Sequence, residues 1–307
     1  MHSFTRRTIL GSIGAAGVAA AVRPHLPLAA EDDRLIRTIP TSGVEVPAIG
    51  MGTWITFNVG QDEALRRQRA EVLGTFLALG GTVIDSSPMY GTAEEVIGWC
   101  LERVPNANRV FAASKIWTPF QAAAEDQIEE SRDLWGIEHF DLMQVHNLLS
   151  WEGHLETLQA EKDEGRIRHI GVTTSHGSRH DKLEHIMATQ PIDSVQLTYN
   201  VLDRKAESRL LPLAAERGMA VIVNRPFRRG RLFDMFARHP LPEWAAEFDA
   251  ANWAQFFLKF IVSHPAVTCA IPATSRVGHM EENMGALRGR LPDAAMRARM
   301  VRYVESL

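Results

Sequence analysis

Four side chains occupy positions from which they could form one proton-donating site: Asp85, Tyr90, Lys115 and His146. A phenol ordinarily has a pKa of about 10, and a neighbouring ammonium group lowers that pKa by stabilising the phenolate. Lys115 could supply the ammonium, and a carboxylate such as Asp85 would keep a buried lysine charged. His146 could orient a carbonyl oxygen or share the proton. Together the four residue types indicate general acid catalysis with Tyr90 as the acid.

Each of these residues also has a structural explanation when it is taken alone. Asp85 could cap a helix, Tyr90 could be a turn aromatic, Lys115 a solvated charge and His146 a satisfied core histidine. The sequence around them has no nucleophile–base pair and no three-ligand metal spacing. Covalent hydrolysis and zinc chemistry are therefore not favoured, and we expect no metal. A glycosidase would need two nearby carboxylates, of which only Asp85 is suitably placed.

The chain that must position these residues alternates short apolar runs with amphipathic helical runs, eight times over. Most of the short runs are apolar throughout, as is typical of parallel strands buried on both faces. This alternation predicts an α/β fold, a single-domain (β/α)₈ TIM barrel, with a doubly wound open sheet as the alternative. The predicted strands are Ile49–Trp54, Thr82–Ser87, Val110–Ile116, Asp141–Asn147, His169–Ser175, Ser194–Asn200, Met219–Arg225 and Val267–Thr274.

In such a barrel the working side chains project from the carboxyl ends of the strands, so the four residues would converge on one mouth. A hairpin over Ile36–Ile49 could cover the opposite end, and a final helix is predicted from Pro292. A longer connection, Pro226 to Pro242, follows the seventh strand. The barrel helices are predicted to begin near Gln61, Ala93, Phe120, His154, Arg179, Ala206, Glu243 and Val277.

Seven sequence strings in this frame resemble those of the aldo-keto reductases, in the family's order over residues 37–290. The strings are Gly50–Trp54, Asp85–Gly91, Ala113–Lys115, Asp141–His146, Gly171–Thr173, Gln196–Asn200 and Ile271–Pro272 through Glu282–Asn283. The resemblance implies an oxidoreductase that transfers hydride between NADPH or NADH and an aldehyde or ketone carbonyl. It also implies that Tyr90 is the general acid, supported by Asp85, Lys115 and His146.

The same resemblance implies where a nicotinamide nucleotide would bind. Its carboxamide would lie near Thr173, Thr174 and Gln196, and its adenosine end along Thr274 to Asn283. Main-chain donors at the start of the helix from Val277 could hold phosphate. The implied cofactor-binding residues are Gly52, Thr53, Trp54, Asp85, Thr173, Thr174, Gln196, Asn224, Pro226, Thr274, Arg276, Glu282 and Asn283.

The sequence departs from the family pattern at three places. Thr173-Thr174 replaces the usual Ser-Asn. At the end of the seventh strand, where the family often stacks a tyrosine on the nicotinamide ring, the string is Asn224-Arg225-Pro226-Phe227. Ala273 and His279 replace a lysine and an arginine of the adenosine-end motif. Arg276 is the best remaining cation for a 2′-phosphate, since a guanidinium can grip phosphate at two points. NADP(H) is therefore favoured over NAD(H).

Substrate-binding candidates are fewer. Trp54, Trp117 and His146 are expected to contact a small carbonyl compound, and Trp151 and Phe227 could extend the same apolar wall. Core aromatics show similar spacing. The connection after the seventh strand carries Arg228, Arg229 and Arg231, which could close over cofactor or an acidic substrate, or form an exposed lid without a binding role. A rival interpretation from another class is a non-catalytic nicotinamide-nucleotide-binding sensor or regulatory barrel.

Composition sets outer limits on function. The 307 residues carry 33 Lys and Arg against 37 Asp and Glu, a formal net charge of −4, so we expect no nucleic-acid partner. Hydrophobic residues make up 45%, which is ordinary for a folded chain. The two cysteines, Cys100 and Cys269, lie in apolar surroundings typical of buried free thiols.

The first thirty residues have the pattern of an export signal. Arg6-Arg7 resembles a twin-arginine motif, an apolar run follows from Ile9 to Val22, and Leu28–Ala30 offers a cleavage site. The apolar run is too short to span a bilayer as a helix, so no stable membrane anchor is expected. We expect residues 1–30 to direct export through the twin-arginine machinery to the periplasm, and residues 31–307 to form the barrel. An ordinary N-terminal arm is the alternative.

Overall fold

The computed structural model describes residues 33–307, and eight parallel strands form a barrel at its centre. Strands β3 to β10 lie side by side in chain order, and parallel bridges from Ile49 to Ala270 and from Gly52 to Ala273 join the first strand to the last. The predicted (β/α)₈ barrel is confirmed. The strands are β3 Met51–Gly52, β4 Val83–Asp85, β5 Phe111–Ile116, β6 Phe140–Val145, β7 Ile167–Thr173, β8 Ser194–Thr198, β9 Ala220–Asn224 and β10 Cys269–Ala270.

The two strands at the seam are shorter than the sequence predicts. β3 and β10 each contain two residues, and the chain around β3 lies very close to its neighbours on both sides. A Cβ on Gly52 would lie 2.8 Å from the carbonyl oxygen of Ile271, and one on Gly50 would lie 2.9 Å from that of Val83. Only glycine allows the backbones to approach this closely.

Helices cover the outside of the barrel, and their bounds differ from the predicted starts at several points. The helix expected near Glu243 is a 3₁₀ segment over Glu243–Phe248, and the regular helix begins at Trp253. Ten α-helices occur among the described residues: α1 Glu63–Ala78, α2 Ala93–Leu101, α3 Ala124–Trp135, α4 Trp151–Asp163, α5 His180–Thr189, α6 Leu210–Arg217, α7 Arg231–Phe236, α8 Trp253–Val262, α9 Val277–Gly285 and α10 Ala294–Ser306.

A short antiparallel hairpin, β1 Ile36–Thr38 and β2 Glu45–Pro47, covers the amino-terminal end of the barrel, as predicted. Ile39 and Val46 pack there against Val83, Phe111 and Leu142 in a buried apolar cluster. Because this end is filled, the open mouth of the barrel lies at the carboxyl ends of the strands.

The remaining expectations concern the two cysteines, a membrane span and the first thirty residues. Cys100 and Cys269 are buried free thiols. Among residues 33–307, no helix is both long and apolar enough to cross a membrane. The predicted export signal, residues 1–30, lies outside the described residues.

Candidate active site

A buried carboxylate connects four barrel strands at the mouth. Asp85 ends β4, and its Oδ2 accepts a hydrogen bond from Lys115 Nζ of β5 at 2.7 Å. Its Oδ1 accepts from Gln196 Nε2 of β8 at 2.7 Å and from Gln144 Nε2 of β6 at 3.3 Å. Asp85 is 2% exposed, so these donors replace water around its charge. Three inward-facing side chains of different strands are thereby fixed on one carboxylate.

Lys115 is held as an ammonium ion inside the barrel. Its side chain is fully buried, and Nζ also donates to the main-chain oxygen of Ser86 at 2.6 Å. Burial lowers the pKa of Lys115, but Asp85 and Tyr90 outweigh that effect and raise the pKa above its ordinary value. The predicted role of Asp85, keeping a buried lysine charged, matches this geometry.

Tyr90 reaches the same point from a 3₁₀ turn, Pro88–Tyr90, which follows β4. Its ring centroid lies 5.2 Å from Lys115 Nζ. Burial raises the pKa of the phenol, Lys115 lowers it, and the net pKa is above the ordinary value. Lys115 lowers the pKa of the phenol as predicted, but burial, which was not predicted, disfavours the phenolate more strongly. Tyr90 is therefore a protonated phenol at neutral pH.

His146 lies beside Tyr90 and is a neutral imidazole. Its ring packs edge-on against Tyr90, with centroids 5.7 Å apart, and against Trp117 at 5.1 Å. Burial, followed by the charges of Lys115 and Arg179, lowers the pKa of His146 to about 2. A neutral ring can orient a carbonyl oxygen, whereas the shared-proton role would require an imidazolium.

Ser87 is a positioning residue that was not predicted as part of the site. Its Oγ lies 2.8 Å from His146 Nδ1 and accepts a hydrogen bond from the amide of Met89. The side chain therefore joins the turn that carries Tyr90 to the His146 ring. Its spacing of three residues before Tyr90, at the start of a turn with Pro88, was the available signal.

A cavity of about 570 Å³ opens above this cluster at the barrel mouth. It is lined by these predicted residues: Gly52, Thr53, Trp54, Asp85, Tyr90, His146, Thr173, Gln196, Asn224 and Pro226. Asn147, Ser175, His176 and Arg225 also line the cavity and were not predicted as site residues. Arg229 lines it as well and belongs to the arginine-bearing connection that could close over cofactor or an acidic substrate. The cavity has the size of a small-molecule site.

One wall of the cavity is a network of amides and hydroxyls. Asn224 Nδ2 donates to Gln196 Oε1 at 3.3 Å and to the main-chain oxygen of Thr174, and its Oδ1 accepts from Thr198. Asn224 is thus held at the rim by hydrogen bonds. Thr174 is fully buried, bonds to the main chain of His176 and does not line the cavity, whereas Thr173 does.

The predicted adenosine-end residues lie at β10 and α9, outside this cavity. Thr274 and Asn283 are buried there, while Arg276 and Glu282 are exposed. Helix α9 begins after Arg276 without a side-chain cap, which leaves first-turn N–H groups available to phosphate. Arg276 forms no salt bridge with any residue from 33 to 307. These features fit a nicotinamide nucleotide. The cavity is lined by amides, and beside it lie the uncapped start of α9 and the guanidinium of Arg276, which is unpaired among the described residues.

The expected aromatic wall is only partly assembled. Trp54 and Phe227 line the cavity. Trp117 packs on His146 without lining it, and Trp151 lies on α4 against His185. Over residues 33–307, no group of three or more His, Cys, Asp or Glu side chains could hold a metal ion.

Comparison with known proteins agrees with this geometry. A family model described as the aldo/keto reductase family matches residues 48–299. Methylglyoxal reductase YeaE of Escherichia coli (strain K12) is 28% identical over 265 residues, covering 82% of this chain and 89% of the relative. An NADH-specific methylglyoxal reductase of the same organism is 24% identical over 239 residues, covering 66% and 70%.

A solved structure supports the same assignment. The aldo/keto reductase of Klebsiella pneumoniae in complex with NADP and acetate superposes with a TM-score of 0.74 at 26% identity, covering 87% of this chain and 94% of that chain. Its barrel and the family match extend over nearly all of the described residues. This chain belongs to the aldo/keto reductase family.

Proposed function

We propose that this NAD(P)H-dependent carbonyl reductase uses Tyr90 as the acid that protonates the carbonyl oxygen of its substrate. The observation that carries the proposal is the buried Lys115–Asp85 ion pair, 2.7 Å long, beside the Tyr90 ring. When bound, a reduced nicotinamide supplies the hydride for the carbonyl carbon. The protein supplies the proton, the orientation of the substrate and the electrostatic environment.

The four residues have distinct roles in this proposal. Tyr90 donates its hydroxyl proton to the carbonyl oxygen as negative charge develops there. The Lys115 ammonium then stabilises the phenolate that remains, and Asp85 keeps that ammonium charged. His146, neutral and hydrogen-bonded to Ser87, orients the carbonyl oxygen. Thr173 and Gln196 would hold the nicotinamide carboxamide at the cavity wall.

Replacement of Tyr90 by phenylalanine tests the acid directly. We expect Tyr90→Phe to lower kcat for aldehyde reduction by about 10²–10⁴-fold, because general acid catalysis contributes about that much. Its affinity for NADPH, measured by quenching of tryptophan emission, should change less than about twofold. Tyr303→Phe is the matched control, because it removes a phenol on α10 that does not line the cavity. Undiminished turnover by Tyr90→Phe would contradict the proposal.

The alternative, a non-catalytic nucleotide-binding sensor, is not favoured. It would predict that one or more of the four residues is replaced or separated from the others, and all four are present in one cluster. Binding of NADPH by the unaltered protein without turnover of any aldehyde in a panel would support the sensor.

NADPH is the proposed nucleotide. Arg276 is exposed, unpaired among the described residues and next to the uncapped start of α9, where it could contact a 2′-phosphate. Relatives differ in the nucleotide they use, since one solved structure contains NADP and one relative is named as NADH-specific. The preference therefore depends on this chain's own residues.

Export is also part of the proposal. The support is the sequence pattern of residues 1–30: the Arg6-Arg7 pair, the short apolar run after it and the small residues at Leu28–Ala30. Export would place the mature reductase in the periplasm.

A further inference from the structure

One buried arginine joins the two loops that flank the seam of the barrel. Arg69 lies on α1 and is only 7% exposed. Its Nε donates to the main-chain oxygen of Thr56, in the loop that follows β3, at 2.5 Å. Its Nη1 donates to the main-chain oxygen of Ser275, in the loop that follows β10, at 3.2 Å. A single guanidinium therefore holds together two loops that come from opposite ends of the barrel sequence.

Both loops carry residues of the proposed site. The loop after β3 contributes Trp54, Ile55 and Thr56 to the wall of the cavity at the barrel mouth. The loop after β10 leads to Arg276, directly before the uncapped start of α9. In the proposed function Arg276 contacts the 2′-phosphate of NADPH. The conformation of this loop therefore decides where the Arg276 guanidinium lies.

The peptide group that leads into Arg276 is held from two sides. The oxygen of Ser275 and the amide of Arg276 belong to one planar unit. Arg69 bonds to that oxygen, and the amide donates to Thr274 Oγ1 at 3.2 Å. Among residues 33–307, Arg69 is the one side chain outside Thr274–Arg276 that hydrogen-bonds to the main chain of this segment. Without Arg69 the peptide plane would keep only the contact from within the segment.

A second buried arginine of α1 makes a different set of contacts. Arg66 precedes Arg69 by three residues, which places both on one face of the helix, and it is 5% exposed. Its Nε donates to the main-chain oxygen of Gly60, in the loop after β3, at 2.7 Å, and its Nη2 pairs with Glu95 of α2 at 2.6 Å. Within residues 33–307, Arg66 does not bond to the loop after β10 and Arg69 has no acidic partner. Arg66 thus holds one of the two loops, whereas Arg69 holds both.

We propose that Arg69 is a positioning residue for nucleotide recognition, which holds the Ser275 peptide so that Arg276 faces the 2′-phosphate of NADPH. This inference rests on the proposed function, in which Arg276 contacts that phosphate. NADH lacks the phosphate, so loss of Arg69 should reduce the preference for NADPH and leave NADH binding nearly unchanged. An arginine with only a structural role would weaken the binding of both nucleotides together, or of neither.

Fluorescence titration of purified variants with each nucleotide tests this role. Arg69→Met should raise the Kd for NADPH by about fivefold, the loss expected for one hydrogen bond, and the Kd for NADH by less than about twofold. Arg66→Met is the matched control, because it removes a buried guanidinium from the same helix face, and it should change the ratio of the two Kd values by less than about twofold. Arg69→Lys keeps the charge and can donate to one of the two carbonyls. It should lose part of the preference, and it provides the test if the methionine variant does not fold.

A double-mutant cycle shows whether Arg69 acts through Arg276. If it does, adding Arg69→Met to Arg276→Ala should raise the Kd for NADPH by less than about twofold, because the contact that Arg69 positions is already absent. Fully additive losses would overturn the positioning role. An unchanged nucleotide preference in Arg276→Ala would also overturn it, since Arg69 would then have no phosphate contact to position.

The single variants can contradict the proposal in two further ways. Equal weakening of NADPH and NADH binding by Arg69→Met would show a general structural role. An equal loss of preference in Arg66→Met would show that any buried arginine of α1 has this effect. Failure of the unaltered protein to reduce any aldehyde with either nucleotide would overturn the reductase function but not this inference, because the titrations measure nucleotide binding alone.

Discussion

At the scale of single residues, the site depends on which groups are charged. Lys115 is an ammonium because Asp85 and Tyr90 outweigh its burial, whereas His146 is neutral because nothing offsets its burial. Tyr90 is protonated because burial outweighs the ammonium beside it. At neutral pH the cavity is therefore lined by a protonated phenol and a neutral imidazole, and the Lys115 ammonium is buried beside them.

These charge states predict the pH dependence of carbonyl reduction. A general acid works in its protonated form, so the raised pKa of Tyr90 extends activity to higher pH, with a decline only above about pH 10. The pKa of His146, about 2, means that this ring does not titrate near neutrality. We expect kcat/KM for an aldehyde, measured at saturating NADPH, to be level from about pH 6 to pH 9. An acidic limb centred near pH 6.5 that is absent from His146→Gln would contradict the neutral ring.

We propose that one residue, Arg276, sets the preference between NADPH and NADH. Arg276→Ala should weaken NADPH binding by about tenfold, because one charge-assisted hydrogen bond to phosphate contributes about 1.5–3 kcal/mol. NADH lacks the 2′-phosphate, so its Kd should stay within about twofold. Both values can be measured by fluorescence titration, with exposed Arg299→Ala as the control. Equal weakening of NADPH and NADH would show that Arg276 does not recognise the 2′-phosphate.

At the scale of elements, a helix can form a buried polar contact that its own sequence does not indicate. Lys259 of α8 is fully buried, and four main-chain oxygens lie within hydrogen-bond distance of its Nζ: those of Phe248, Asp249, Arg288 and Arg290. The ammonium thus joins α8 to the loops on either side of it. The apolar sequence of α8 predicts a buried helix but not this polar contact, because the four carbonyls come from distant segments.

A glycine between two helices gives a stability prediction. A Cβ on Gly98 of α2 would overlap the carbonyl oxygen of Leu134 at the end of α3. Gly98→Ala should therefore destabilise the protein by about 1–3 kcal/mol, as overpacking does. Gly74→Ala on α1 is the matched control: its Cβ would lie 3.8 Å from Val104 Cγ1, so it should stabilise by about 0.5–1 kcal/mol. Urea unfolding measures both, and equal midpoints for the two variants would refute the packing argument.

At the scale of the whole molecule, the proposed export signal gives a prediction of its own. We predict that the full chain is recovered from the periplasm with residues 1–30 removed. Replacing Arg6 and Arg7 together by lysine should retain the protein in the cytoplasm at full length, because the arginine pair is the recognised feature. Arg23→Lys leaves the pair intact and should not change export. Cell fractionation and the mass of the recovered chain report both results, and unchanged export of the Lys-Lys variant would contradict the prediction.

Much of this architecture could be predicted from the sequence because its causes are local. Apolar runs bounded by turn residues indicate strands, and their eightfold alternation with helices indicates a barrel whose strand ends carry Asp85, Lys115 and His146. The hairpin beneath the barrel was predictable for the same reason. The predicted start of α8 near Glu243 was wrong. A 3₁₀ segment that depends on tertiary contacts occupies Glu243–Phe248, and the helix begins at Trp253.

Residue types and their order along the chain were enough to predict the barrel and the meeting of Tyr90, Lys115 and Asp85 at one mouth, since parallel strands bring their ends together whatever lies between them. Only the tertiary structure decided burial, side-chain contacts and the balance of charges. Desolvation keeps Tyr90 protonated, Ser87 and His146 are hydrogen-bonded, and Arg225 and Arg229 meet at the wall of the catalytic cavity. These effects arise from residues distant in sequence, and their size depends on how much water the folded chain excludes.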